Sequence, residues 1–208
     1  MQNDPDLESA YGLETPDDNR RLYAQWAKSY DDAFAADLDY MLPLHVAEAY
    51  AAVAGQGPVI DLGAGTGLLG AALKTCGIGP VDATDLSEEM LEVAASKALY
   101  RRLFQGNLLE RLPVADATYA GAASSGTFTH GHVGPEALDE VLRIVRPGGV
   151  VALSINAEHW TAKGFSARFD ALGDRISGLT LREVRIYGPE TTGPHANDLS
   201  QVVSFIRT

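Results

Sequence analysis

The sequence predicts an α/β protein built on one mostly parallel sheet with helices on both faces. Three observations carry this. Short apolar runs alternate with helical patterns between Pro58 and Ile155, the rhythm of a parallel sheet covered on both sides. One apolar run ends in alternating glycines, Gly63, Gly65 and Gly67, that lead straight into a helix. The last two strand-like segments have no helix between them. A short link of that kind makes an antiparallel hairpin at a sheet edge.

The elements follow in order. Residues 1–18 are acidic, carry two prolines, and predict a loose arm. From Asn19 to Phe34 the aromatics Tyr23, Trp26, Tyr30 and Phe34 recur every three or four residues, one stripe of an amphipathic helix. Residues 37–54 predict a second helix, broken or bent in its first half by Pro43. Together 19–54 form a helical lid ahead of a core at 58–208. Pro58–Leu62 is a buried strand and Leu68–Cys76 a helix. Pro80–Thr84 is a second strand that ends at Asp85. Ser87–Leu99 is a helix capped by Ser87, with Glu88 and Glu89 at the positive end of its dipole and Leu86 meeting Leu91 as a staple. Arg101–Gln105 and Tyr119–Ser125 are the third and fourth strands, the latter built of small residues. Pro135 opens a helix with apolar positions Leu138, Val141, Leu142 and Val145. Pro147-Gly148-Gly149 turns the chain into strand Val150–Ile155, and a helix spans 163–173. Leu181–Tyr187 and Ser200–Arg207 close the sheet at seven strands.

Composition bounds the function. The chain has 208 residues, 46% apolar and 21% charged, enough for one real core. That excludes collagen, a disulfide scaffold and a mainly disordered chain. The net charge is −12, and six acids without a base lie in residues 1–19. So acidic a chain has no general attraction to nucleic acid. The single cysteine, Cys76, permits no internal disulfide and no cysteine zinc cage. No secretory leader and no apolar run near the roughly 20 residues of a membrane span occur. A cytoplasmic protein without nucleic-acid or membrane partners is expected, as monomer or homodimer.

The chemistry gathers at Asp61-Leu62-Gly63-Ala64-Gly65-Thr66-Gly67. Glycines between a strand and a helix let a ligand approach the backbone at the carboxyl end of a sheet. Asp85 ends the next strand, where a carboxylate can accept both hydroxyls of a ribose. Gly65–Gly70 fits the dinucleotide fingerprint G-x-G-x-x-G. Asp61 favours S-adenosylmethionine (SAM) instead, because a carboxylate there repels a pyrophosphate and attracts an ammonium. Met90 stands where an adenine would lie, and no Tyr-x-x-x-Lys pair for hydride chemistry occurs. An NAD(P)-dependent oxidoreductase remains the alternative, and a non-catalytic SAM-binding protein a further one.

The sequence resembles a small class I SAM-dependent methyltransferase. The resemblance lies in Val59–Gly70, Asp85–Leu91, Gly106-Asn107-Leu108, Tyr119–Phe128 and Arg146–Gly149. Tyr23, Trp26-Ala27 and Tyr30-Asp31 are similar to the ubiquinone-methyltransferase-like branch. Ser125–Val133 is similar to the Williams–Beuren-region methyltransferase-like family. The resemblance implies a Rossmann-like fold with SAM as cofactor and S-adenosylhomocysteine (SAH) as product. It implies that Asp61 and the loop Gly63, Ala64, Gly65 and Gly67 hold the methionine part. Asp85 would hold the ribose, Leu86 and Met90 the adenine faces, and Asn107 and Leu108 its edge. Ser124 would touch the methionine end. Tyr30, with Arg21 and Trp26, would close over the site. Many relatives carry Asp where this chain has Asn107.

Methyl transfer is an in-line displacement in which positioning supplies much of the acceleration. The expected acceptor wall, Ser124–Val133, holds hydroxyls and two histidines, and no acid lies between Tyr119 and Gly134. That excludes a metal-assisted catechol transfer, which needs carboxylates there. His130 and His132 are the base candidates, since imidazole titrates near neutral pH. His45, His159 and His195 have no motif around them. Trp160 is a second candidate for the acceptor wall. The expected reaction is methyl transfer from SAM to a small or medium-sized molecule, with no metal.

Overall fold

β1 (Val59–Leu62) is buried at every position, as a short apolar strand covered on both faces must be. It pairs in parallel with β2 (Val81–Asp85) on one side and β4 (Tyr119–Phe128) on the other. β3 (Arg102–Gln105) lies outside β2, and β5 (Val145–Asn156) beyond β4, both parallel. β6 (Ile176–Arg185) and β7 (Leu199–Arg207) complete a seven-stranded sheet of order β3-β2-β1-β4-β5-β7-β6. β7 is antiparallel to both neighbours, β5 and β6. This computed structural model describes residues 16–27, 29–31, 35, 38–53, 55–129 and 133–208.

The strand period of two sorts the core onto two faces. Ile60, Leu62, Val151 and Leu153 point to one side, where they meet α5 (Leu138–Ile144) and α7 (Phe165–Leu172) through Leu138, Leu142, Phe165 and Phe169. Val59, Val150 and Ala152 point to the other, against α2 (Leu42–Ala52) and α3 (Leu68–Thr75) through Val46, Tyr50, Leu69 and Leu73. α4 (Glu88–Ser96) starts as its sequence predicts: the Ser87 hydroxyl accepts from Met90 N–H at 3.2 Å. A separate aromatic cluster joins Trp26, Leu42, Ile186 and Tyr187, with Tyr23, Tyr30 and Tyr40 packed on it.

Several elements differ from the sequence expectation. The first helix, α1, runs Pro16–Trp26 rather than 19–34. It therefore takes in Pro16–Asp18, which the composition assigned to the arm. It ends because Ser29 N–H turns back to Trp26 carbonyl at 3.0 Å, the tight i→i+3 closure of a last turn. Tyr30 still joins the stripe: its ring meets Trp26 edge-on at 5.2 Å. Phe34 and residues 1–15 lie outside the described residues. Pro43 does not break the second helix but stands in its first turn, where the missing N–H has no partner to lose. The helix expected at 163–173 is α7, Phe165–Leu172; a further short helix, α6 (Ala157–Ala162), precedes it and is parted from it at Gly164 with φ 73°. β6 begins at Ile176, five residues before Leu181, because its pairing with β7 extends to Ile176 opposite Arg207.

Candidate active site

A cavity of about 130 Å³, open to solvent on one side, lies at the carboxyl ends of β1, β2 and β4. The order of strands reverses between β1 and β4, which makes this the crevice where open α/β sheets bind ligands.

The loop after β1 is fixed before any ligand arrives. Gly63 and Ala64 N–H both donate to Thr84 carbonyl, at 2.9 and 3.1 Å. Gly65 N–H donates to Asp85 Oδ2 at 2.8 Å, and Ser87 N–H to Asp85 Oδ1 at 2.9 Å. Gly65 sits at φ 53° and a side chain there would enter open space, so glycine supplies both the left-handed backbone and the bare surface. Burial raises the Asp85 pKa, opposed by the Ser87, Gly65 and Leu86 backbone N–H groups. Each of its oxygens keeps a lone pair for a further donor.

Asp61 stands behind this loop, fully buried. Tyr100 donates its hydroxyl to Asp61 Oδ2 at 2.7 Å, while Oδ1 has no hydrogen-bond partner among the described residues. Burial pushes the Asp61 carboxyl up to about 7, with the Tyr100 hydrogen bond opposing. Sequence reasoning missed Tyr100. Its signal was Gly70: a side chain at 70 would overlap the Tyr100 ring, which also lies against Gly67.

The cavity wall brings together Tyr30, Gly63, Ala64, Gly65, Asp85 and Leu86, together with Met90, Asn107 and Leu108. Asn107 Oδ1 accepts from Leu109 N–H at 3.0 Å and its Nδ2 donates to Glu110 at 3.1 Å, so its side chain also shapes the turn. Asp61, Gly67 and Ser124 are not on the wall. Gly67 is the left-handed cap of α3. Ser124 does not follow β4 but lies inside it, fully buried, donating to Leu62 carbonyl at 2.6 Å. Ser125, Gly126 and Thr127 reach the cavity instead. Trp26 is buried in the aromatic cluster and Arg21 is exposed beside Asp18; neither is on the wall. Trp160 stacks on Phe165 and Phe169 at 6.4 and 5.5 Å, so it packs in the core. His130 and His132 lie outside the described residues.

The N-terminal segment is tied to the loop. Thr66 donates its hydroxyl to Asp31 Oδ1 at 2.5 Å, and Lys97 pairs with Asp31 Oδ2.

Residues 59–149 match the methyltransferase-domain family. Fold, cavity and sequence agree, and the chain belongs to the class I SAM-dependent methyltransferases. Within that family it is similar to human methyltransferase-like protein 27, 30% identical over 188 residues, which cover 88% of this chain and 76% of that one. A SAM-dependent methyltransferase from Thermotoga maritima, described as a possible histamine N-methyltransferase, superposes with TM-score 0.65 at 16% identity over 91% of this chain and 99% of that chain. A [4+2]-cyclase superposes with TM-score 0.69 at 14% identity over 94% of this chain and 97% of that one. The fold alone therefore does not choose methyl transfer; the sequence relatives carry that assignment.

Proposed function

We propose that the protein binds SAM along the Gly63–Thr66 side of the cavity and moves its methyl group to a small or medium-sized acceptor. One observation carries the reading. Gly65, Asp85, Met90 and Asn107, from separate segments, meet on one wall at the reversal point of the sheet. The residues fit the cofactor: bare space at Gly65, spare lone pairs on Asp85, and an apolar slot at Leu86 and Met90.

Bound SAM supplies an activated methyl group on a sulfonium. The chain's own residues bind and orient. Asp85 would accept the ribose hydroxyls, Leu86 and Met90 flank the adenine, and Asn107 and Leu108 border its edge. The glycine-loop backbone would hold the methionine part, with Asp61 fixing that loop from behind. Tyr30 would close the site as part of a lid, 19–54, over the core, 58–208. His130 and His132 stay the base candidates. A cytoplasmic monomer or homodimer belongs to the same proposal; among the described residues no helix is long and apolar enough to cross a membrane.

Calorimetric titration with SAM, SAH and NAD tests the reading. Saturable SAM and SAH binding without an NAD signal is expected. NAD binding without SAM binding would favour an oxidoreductase. SAM binding with no methylated product from a cell extract would favour a non-catalytic SAM protein.

A further inference from the structure

The cavity wall carries two kinds of group. The backbone from Gly63 to Thr66 with Asp85 is one; Tyr23, Tyr30, Tyr40, Ser125, Thr127 and Val133 are the other. The two meet: Thr127 lies against Gly63, and the Asp85 charge reaches Tyr23. We propose that the tyrosine-lined part takes an uncharged acceptor: a small molecule with a flat apolar body and a hydroxyl, thiol or unprotonated amine as nucleophile. The inference rests on the glycine-loop part being the seat of the cofactor.

Tyr40 is fixed by its backbone. Its N–H donates to Ala35 carbonyl at 3.0 Å, and the next N–H, of Met41, donates to Ile186 carbonyl at 2.9 Å. Its ring lies 6.1 Å from that of Tyr187. Its hydroxyl stands over Gly126, where any side chain would overlap it. A phenol is thus held beside the outer end of β4, next to the glycine loop. Tyr23 and Tyr30 approach as a pair, rings 6.0 Å apart and tilted by 56°.

All three phenols stay protonated at neutral pH. Burial pushes Tyr40 up to about 12, with the Ser125 hydroxyl opposing. Burial also holds Tyr23 and Tyr30 well above the ordinary tyrosine value, with neighbouring phenols adding to the rise, then Asp85 at Tyr23 and Asp31 at Tyr30. A protonated phenol offers an apolar face and one neutral hydroxyl. Ser125 and Thr127 add only hydroxyls.

Such a wall discriminates by charge. A carboxylate or phosphate entering it leaves water and meets no counter-ion among the described residues of the wall, and burying an unpaired charge is costly. Among the described residues no Lys or Arg stands on the wall. Lys97 is committed to Asp31, beyond Thr66. A protonated amine has no lone pair to give. An uncharged nucleophile loses little hydration and keeps its lone pair. That pair forms the new bond to the methyl carbon as the carbon–sulfur bond breaks, the bonding electrons stay on sulfur, and the acceptor's proton goes to a base, for which His130 and His132 are the candidates.

The test compares molecules of one shape and different charge on the SAH-saturated protein at neutral pH. Calorimetry would measure 2-naphthol against 2-naphthoate, and 5-hydroxyindole against indole-5-carboxylate. The neutral member of each pair is expected to bind at least about 10-fold tighter. Carboxylates that bind as well as their partners overturn the inference, and so does failure of both neutral molecules to bind. The preceding SAH titration separates the two readings. If SAH does not bind, the cofactor assignment falls and this inference with it. If SAH binds and the carboxylates win, only the acceptor class falls.

Discussion

Asp85 accepts N–H groups from both Gly65 and Ser87, so it organises the loop as well as facing the cavity. Two charge-assisted ribose hydrogen bonds, each worth roughly 1.5–3 kcal/mol before losses, would make Asp85→Ala weaken SAH binding by about 10-fold or more in calorimetry. The protein should still fold, since the Ser87 cap on Met90 N–H does not use Asp85. Asp61 gives a pH dependence. Burial raises its carboxyl from 3.8 to about 7 in the folded state. The folded protein therefore holds a proton that the unfolded chain releases. That contribution to stability is complete below about pH 4 and is lost as pH rises through about 7. The melting temperature of the wild type should fall across that window, and Asp61→Asn should flatten this part of the profile. Tyr100→Phe removes the hydrogen bond that lowers the Asp61 pKa, and should move the fall to higher pH. That Gly63, Gly65 and Asp85 would line one cavity was legible in the sequence, because a strand, a turn and a helix fix their spacing locally. Tyr100 was not, because it reaches Asp61 across 39 residues of chain, and no local pattern records such a contact.

At the scale of elements, the segment holding α1 meets the body through an aromatic cluster and one carboxylate. Tyr23, Trp26 and Tyr30 pack with Leu42, Ile186 and Tyr187, and Asp31 bridges Thr66 and Lys97. A lid must open more readily than the core. Without cofactor, α1 should exchange its amide hydrogens faster than β1, and SAH should slow it. Asp31→Ala removes a hydrogen bond and a partly exposed ion pair, roughly 1 kcal/mol each. It should weaken SAH binding about 3- to 10-fold and restore fast exchange in α1. Equally slow exchange with and without SAH would make α1 a fixed element instead of a lid. The aromatic stripe was legible from its spacing, yet the helix was drawn too long. Periodicity marks which residues share a face. It does not mark an interruption such as the turn at Ser29, whose N–H closes back on Trp26 carbonyl at 3.0 Å.

For the whole molecule, ligand binding and stability are linked. SAH at one hundred times its Kd should add about 2.7 kcal/mol, roughly 5–10 °C in melting temperature for a chain of this size; NAD should add nothing. Strand number and the terminal hairpin were legible because seven apolar runs stand between clear turn signals, and the missing final helix forces an antiparallel return. Which strand takes the edge was not legible, since the same hairpin could dock either way round. The chain puts β7 inside and leaves β6, exposed along most of its length, outside. That arrangement sets an order of assembly during synthesis. β6 leaves the ribosome first but has no place in the sheet, because among the described residues it pairs with β7 alone. It must wait until Leu199–Arg207 emerges and slots between it and β5. Until then β5 presents an open edge. A chain stalled or cut before residue 199 therefore loses two strands, though it lacks the residues of only one.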